Sequence, residues 1–321
     1  MAVYTAVDAA DLIALLRRYD LGALESFSGI TDGVENSNFL VRTQGQRCIL
    51  TLYEKRVRTE ELPFFLALMR HLSERGLHCP LPLSDRDGRV LHTLSDRPAA
   101  LFSFLEGQSP QNITPTQCGA VGVTLAHLHR IGQDFPLRRC NALGPQAWSA
   151  LAADCLAAAA DDAYPGITAP VLAELAFLDR AWPQDLPSGL CHADLFPDNV
   201  FFQGDMVSGV IDFYFACTES LAYDLAICLN AWCFGPEQRF DRARGCQLLA
   251  GYQQQRPLTA AERAALPTLA RGAALRFLLT RLYDSLHHPI GALTRPKDPL
   301  EYLSYLAFHQ GTADAAAYGL D

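Results

Sequence analysis

Two nearby segments decide the reading: Gly189-Leu190-Cys191-His192-Ala193-Asp194-Leu195-Phe196-Pro197-Asp198-Asn199-Val200-Phe201-Phe202 and Gly209-Val210-Ile211-Asp212-Phe213-Tyr214-Phe215. Together they read as a loop and two short apolar strands. They interrupt a half of the chain whose apolar residues otherwise recur at helical spacing. The loop carries His-x-Asp with an Asn five residues after the Asp, and Asp212 closes an apolar strand thirteen residues beyond Asn199. Phosphoryl transfer from a nucleoside triphosphate explains these residue types in one place. One carboxylate must accept the proton of an attacking hydroxyl and aim it in line with phosphorus, which suits Asp194. A second carboxylate and an amide oxygen must hold Mg2+, a hard cation that takes oxygen ligands and shares its shell with phosphates. Asp212 and Asn199 suit that task. His192 reads as an organiser of the loop, bonded to backbone or to Asp212, and Asp198, beside Pro197, as a shaper of the turn. A plain turn capped by Asp194 and Asn199 is the competing reading, and it leaves three oxygen-bearing side chains at this spacing unexplained.

Outward from this centre, the two halves of the chain differ in period. Upstream, Asp8 caps a helix with Leu12, Ile13, Leu15, Leu16 and Tyr19 as its stripe, stopped by Gly22. Strand-like runs follow at Phe27–Ile30, Asn38–Arg42 and, after a Gln44-Gly45 turn, Arg47–Tyr53. The spacing then predicts a helix over Thr59–Arg75 closed by Gly76, and strands at Arg89–Leu94 and Ala99–Leu105 around an Asp96-Arg97-Pro98 turn. Beyond Glu106-Gly107 the pattern is helical: Thr114–Ile131, about 146–160, 168–181, Ser220–Trp232, and from about Gln238 onward. The order predicts an α+β protein of two lobes, 1–104 and 105–321, the first a small antiparallel β lobe with one or two helices and the second mostly helical.

Bulk properties narrow the classes. At 321 residues the chain exceeds what one hydrophobic core usually serves. Its formal charge of −9, without a basic block, argues against general nucleic-acid binding or attachment to anionic membranes. The ten cysteines are scattered with no CxxC pair, so neither zinc nor a disulfide framework is expected. No basic leader opens the chain and no apolar run nears the ~18 residues a bilayer requires, so a reduced, cytoplasmic protein is expected.

The chain resembles the aminoglycoside-phosphotransferase and choline-kinase group of small-molecule kinases, which share the bilobal protein-kinase-like fold. Within it, the overall run is most similar to the bacterial homoserine kinases of that type. Four stretches carry the likeness: Gly29–Phe39, Ile49–Glu54, His192–Asn199, and Ile211–Cys217 followed by Tyr223-Asp224-Leu225-Ala226. The resemblance implies ATP and Mg2+ as cofactors and homoserine as acceptor. It implies Asp194 as base with His192 beside it, and Asn199 and Asp212 as metal ligands. Gly29–Asn38 becomes the loop over the ATP phosphates, with Gly33, Asn36, Ser37 and Asn38 in contact. A plain β-turn would read the same way. Leu101–Leu105 becomes the adenine hinge, where a buried edge strand would read the same way, and Asp224 braces the catalytic loop. One departure matters: where kinases of this fold carry a strand Lys on the phosphates, this chain has Thr51. Lys55 or Arg56, with Glu60 or Glu61, are the alternatives, beside that of a solvated charge cluster.

A zwitterionic acceptor needs a cation for its carboxylate and oxygen acceptors for its ammonium. Arg276 and Arg281, within an apolar helical run, are the candidates, with Tyr214, Glu219, Asp224 and Asn230 as further ones near the metal-bearing loop. Five residues apart, the two arginines sit about 140° around a straight helix, and Arg281 with Asp284 could equally form an ion pair. Other acceptors (an aminoglycoside, methylthioribose, choline, a protein serine) remain open at this point, as does a nucleotide-binding pseudokinase scaffold. The oligomeric state is not specified by any of these features.

Overall fold

The computed structural model describes residues 4–30, 36–54, 58–288 and 296–320. The chain divides into two compact units, residues 1–107 with 208–214, and residues 108–207 with 215–321. The sequence expectation is a single boundary at 104/105; the division in the structure falls after Gly107 and groups residues 208–214 with the first unit.

In the first unit, strands β1 (Leu24–Gly29), β2 (Ser37–Thr43), β3 (Gln46–Leu52), β4 (His92–Leu94) and β5 (Arg97–Ser103) form one sheet in the order β1-β2-β3-β5-β4. All neighbours are antiparallel, and the register sets Asn38 opposite Thr51. Helix α1 (Ala9–Leu16) starts where the Asp8 carboxylate accepts the Ala10 N–H at 2.7 Å. It buries Leu12, Leu15 and Leu16 against Phe39, Val41, Leu50 and Leu101 of the sheet. Alternation explains the choice of face: Phe39 and Val41 of β2 point inward while Arg42 between Val41 and Thr43 is exposed. Burying each such side chain contributes about 1.5–3 kcal/mol. Helix α2 (Leu62–Glu74) follows a single 3-10 turn at Thr59–Glu61 and ends before Gly76, whose φ of +89° continues the chain out of the helix.

The hairpin between β4 and β5 differs from the sequence expectation. Its turn is Ser95-Asp96, both left-handed at φ +50° and +58°, while Arg97 and Pro98 already belong to β5. A two-residue turn with both φ values positive matches strand twist better than a turn built on the proline. Asp tolerates that conformation.

The second unit contains α3 (Pro115–Ile131), α4 (Pro145–Ala157), α5 (Ala160–Ala163), α6 (Thr168–Ala181), α7 (Leu221–Trp232), α8 (Arg242–Gln255), α9 (Ala260–Leu286) and α10 (Leu300–Gln310). Thr114 and Thr259 each close a capping box, with Gln117 and Glu262. Strands β6 (Ser188–Cys191) and β9 (Cys217–Ser220) pair antiparallel, Cys191 opposite Cys217, and β9 is an element the periodicity did not separate from α7. A hairpin of β7 (Val200–Gln203) and β8 (Met206–Val210) leads the chain back into the first unit, where the Val210 amide bonds to the His78 carbonyl at 2.8 Å. Helix α7 is central: eleven of its twelve residues are buried. Helices α3 and α8 touch backbone to backbone. A Cβ on Gly122 would lie 2.1 Å from the Leu248 carbonyl oxygen, and one on Gly251 at 2.1 Å from that of Gly119.

All ten cysteines are free thiols, eight of them buried. Among the described residues no helix is long and apolar enough to cross a membrane.

Candidate active site

The loop after β6 is built around an unusual backbone. Ala193 has φ +62°, a conformation that costs an L-residue with a side chain on the order of 1–3 kcal/mol unless its surroundings hold it. Two charged side chains do so, both essentially buried. Asp224, in the first turn of α7, accepts the N–H of His192 at 2.7 Å and that of Ala193 at 2.8 Å. Arg276, from the middle of α9, donates through Nη1 to the Ala193 carbonyl. The peptides around the strained residue are therefore gripped on the N–H side by an anion and on the C=O side by a cation.

Asp224 does not stand alone. Its Oδ2 lies 3.0 Å from His129 Nε2, and His129 Nδ1 lies 2.8 Å from the Tyr252 hydroxyl. Arg256 donates to that hydroxyl at 3.1 Å and to Glu262 at 2.7 Å. A buried polar chain thus ties α3, α8 and the start of α9 to the loop. Burial alone would raise the Asp224 pKa. The hydrogen bond from His129, the charges of His129 and His192, and the Ala193 N–H outweigh it and hold the carboxyl below its ordinary value.

Downstream the loop is knit internally. Asn199 Nδ2 donates to the Asp194 carbonyl at 2.8 Å and to Asp194 Oδ2 at 3.2 Å. The Asp194 amide bonds to His192 Nδ1 at 3.3 Å, the arrangement expected of His192 as a loop organiser. The Leu195 carbonyl takes the Trp232 indole N–H at 2.7 Å. With the NH2 of Asn199 committed, its Oδ1 presents a neutral oxygen, the donor type that Mg2+ takes. Asp194 is half-buried beside it, which leaves its carboxylate reachable.

Asp212 and Tyr214 belong to the first unit. Asp212 has φ +64°, so the chain turns sharply as β8 ends. Tyr214 packs edge-on to Tyr53 and Phe65, with ring centroids 5.8 and 5.4 Å apart, and its hydroxyl donates to that of Tyr53 at 3.4 Å. In the same unit, Thr51 donates to Asn38 Oδ1 at 2.7 Å, and Asn36 Oδ1 accepts the Glu54 N–H at 3.3 Å. Ser37, expected on the phosphates, has its hydroxyl engaged within the chain. It is fully buried, donates to Glu54 at 2.7 Å, and accepts the N–H groups of Tyr4 and Thr5. Its hydroxyl is used up in tying the chain start to the sheet. Gly33, Lys55 and Arg56 lie outside the described residues. In the same unit, Arg97 Nε lies 3.3 Å from Glu54.

The two arginines of α9 part company, as their angular separation requires. Arg276, expected at the acceptor, is 1% exposed, lies over the rings of Phe277 at 4.3 Å and Phe215 at 5.7 Å, and donates to the loop backbone at the Ala193 carbonyl. Arg281 stacks over Tyr302 at 4.5 Å, bonds to the Asp298 carbonyl at 3.0 Å and pairs with Glu301, not with Asp284. His129 is a residue missed from sequence. Its signal was a histidine on the buried face of α3, next to Leu125 and Leu128, where a polar ring needs a partner.

Comparison with known proteins gives a consistent family. A model described as the phosphotransferase enzyme family matches residues 26–258. A homoserine kinase of Rhodopseudomonas palustris (strain BisB18) is 57% identical over 320 residues, covering 100% of this chain and 98% of that protein. A homoserine kinase of Xanthobacter autotrophicus (strain ATCC BAA-1158 / Py2) is 56% identical over 322 residues, with 100% and 99% covered. Among solved structures, an amicoumacin kinase in complex with AMP-PNP, Ca2+ and its ligand is similar at a TM-score of 0.68, with 15% identity and 95% and 92% of the two chains covered. A choline kinase from Cryptosporidium parvum Iowa II follows at 0.67, with 14% identity and 95% of each chain covered. At such identities the structural likeness carries the fold, which is protein-kinase-like, as expected.

Proposed function

Because the chain belongs to the phosphotransferase enzyme family, we propose that it transfers the γ-phosphoryl group of ATP to the hydroxyl of L-homoserine, forming O-phospho-L-homoserine and ADP. The observation that carries this reading is end-to-end identity of 54–57% to proteins named homoserine kinase. The charged grip on the His192–Asn199 loop supports it, because phosphoryl transfer depends almost entirely on positioning and charge.

Asp194 orients the acceptor hydroxyl and takes its proton as the new O–P bond forms and the bond to ADP breaks. His192 keeps the loop in register through the Asp194 amide. Asn199 and Asp212 would supply an amide oxygen and a carboxylate, an oxygen-only donor set of the kind that hard divalent cations such as Mg2+ take. Bound Mg2+ would neutralise the phosphate charge. The nucleotide phosphates are assigned to the strand ends that carry Asn36, Asn38 and Thr51. Ten free cysteines agree with a reducing compartment, the cytoplasm.

The test is initial-rate phosphorylation across a panel of L-homoserine, choline, methylthioribose, an aminoglycoside and a serine peptide, with the product identified by 31P NMR. L-homoserine should give the highest kcat/KM. A higher value on another alcohol refutes the acceptor. Thermal stabilisation by MgATP without any turnover replaces the enzyme with a nucleotide-binding scaffold.

A further inference from the structure

A cavity of about 410 Å3 in the second unit has Phe196, Pro197 and Asp198 as one wall, the residues two to four places after Asp194. That volume falls within the ~300–1,000 Å3 of small-molecule sites. Its charged lining holds two residues of each sign: Arg281 with Glu301, and Lys297 with Asp198 at 3.1 Å. A polycation such as an aminoglycoside would select acids alone. A balanced set fits a ligand that carries both charges.

The donor geometry is more specific. Both hydrogen bonds of Arg281 leave from Nη1, and no described residue takes its Nε or Nη2. Those two nitrogens form the fork that binds a carboxylate by two parallel bonds. Stacking on Tyr302 and the bond to the Asp298 carbonyl hold the fork still. On the acid side, Glu301 is oriented by the Tyr305 hydroxyl at 2.9 Å, and Asp198 keeps Oδ1 beyond its contact with Lys297. The floor is rigid as well. Asn230, buried, donates to the carbonyls of Ala226 and Ala270 and faces His309 Nε2 at 2.8 Å.

We propose that this cavity is the α-amino-acid pocket of the acceptor. Arg281 Nε and Nη2 bind the carboxylate, Asp198 and Glu301 receive the ammonium, and Phe196 leads the hydroxyl-bearing end toward Asp194. The proposal rests on the homoserine reading and adds the residues that enforce it.

The test is a cycle of Arg281→Gln against two acceptors, L-homoserine and 3-aminopropan-1-ol, an amino alcohol without the carboxylate. On L-homoserine the variant should lose about 10- to 150-fold in kcat/KM, the worth of a hydrogen bond to a charged group, and mostly through KM. On 3-aminopropan-1-ol it should match the wild type; where turnover of that alcohol is too slow to follow, its inhibition constant against homoserine is read instead. Asp198 is exposed, so Asp198→Asn does not threaten folding. It should weaken L-homoserine and leave 4-hydroxybutyrate, which lacks the ammonium, unchanged. Equal losses on both members of either pair, or no loss on L-homoserine, overturn the pocket. Wild-type enzyme that neither binds L-homoserine in calorimetry nor phosphorylates it overturns the function and the pocket together. Normal wild-type activity with unaltered affinity in Arg281→Gln overturns the pocket alone.

Discussion

Arg276 offers the sharpest test of how the loop is held. Replacement by Met keeps length and apolar bulk while removing the guanidinium that donates to the Ala193 carbonyl. A hydrogen bond to a charged group contributes about 1.5–3 kcal/mol. Cation–π contact with the Phe277 ring at 4.3 Å adds about 1–2 kcal/mol in so dry a place. Against these stands the cost of burying the cation, which Met removes and which is of the same size. Among the described residues Arg276 Nε has no hydrogen-bond partner, so that cost is incompletely offset in the native protein. Global stability should therefore change little, by about 2 kcal/mol or less. Turnover should not be spared, because Ala193 keeps its left-handed backbone only while both grips hold, and Asp194 is the next residue. A displacement near 1 Å at a reacting group costs about 100-fold. The expected result for Arg276→Met is kcat down about 30- to 100-fold, KM for the acceptor within threefold of normal, and a melting temperature near wild type. Arg276→Lys should recover part of kcat, and added guanidinium should partly rescue Arg276→Ala. A raised KM with kcat intact would return Arg276 to the acceptor site, and an unaffected kcat would dismiss the two-sided grip.

Three further outcomes follow from the same framework. Asp194→Asn should abolish phosphorylation and leave the melting temperature unchanged within a degree or two; measurable turnover would remove it as the proton acceptor. Gly251→Ala places a methyl 2.1 Å from the Gly119 carbonyl oxygen, so α3 and α8 must separate. Overpacking of about 1–3 kcal/mol or more exceeds the helix-propensity gain of up to ~1 kcal/mol, and calorimetry should show a loss of several degrees. His309 is held down to about 3 by burial and by the nearby Arg271 charge. The unfolded chain therefore binds a proton below about pH 6.5 that the native protein refuses. Its contribution is whole above that pH and is lost as pH falls toward 3, at about 1.4 kcal/mol per unit. Denaturant titrations of His309→Gln between pH 4 and 7 should show a shallower decline than wild type, and equal slopes would contradict it.

Elements with a strong period or a clear stop signal were legible from sequence. The helix over Thr114–Ile131 agrees with α3 nearly to the residue, since Thr114 and Gln117 form the capping box that the residue types allow. The β2–β3 hairpin was equally plain, through alternation and Gly45. Strand β9 was missed because four residues running directly into a helix carry no period of their own. Within the site, the loop's residue types were legible because phosphoryl transfer demands them. The contacts of Ser37 and Arg276 were not. Whether a hydroxyl faces a ligand or the chain's own amides depends on a partner 32 or 33 residues away. Whether a buried arginine serves substrate or backbone depends on a contact 83 residues away. Local spacing is blind to both.

The thiols have a practical consequence. Burial pushes Cys48 up to about 11, Cys79 and Cys217 up to about 12, and Cys191, Cys228 and Cys233 well above the ordinary thiol value. Such groups are protonated and shielded at neutral pH, and alkylating reagents act on thiolates. Cys140, the one exposed cysteine, should react with a maleimide first, with half-covered Cys246 behind it. A fluorophore could then be attached at essentially one address in the unmodified sequence, without stripping out the other nine.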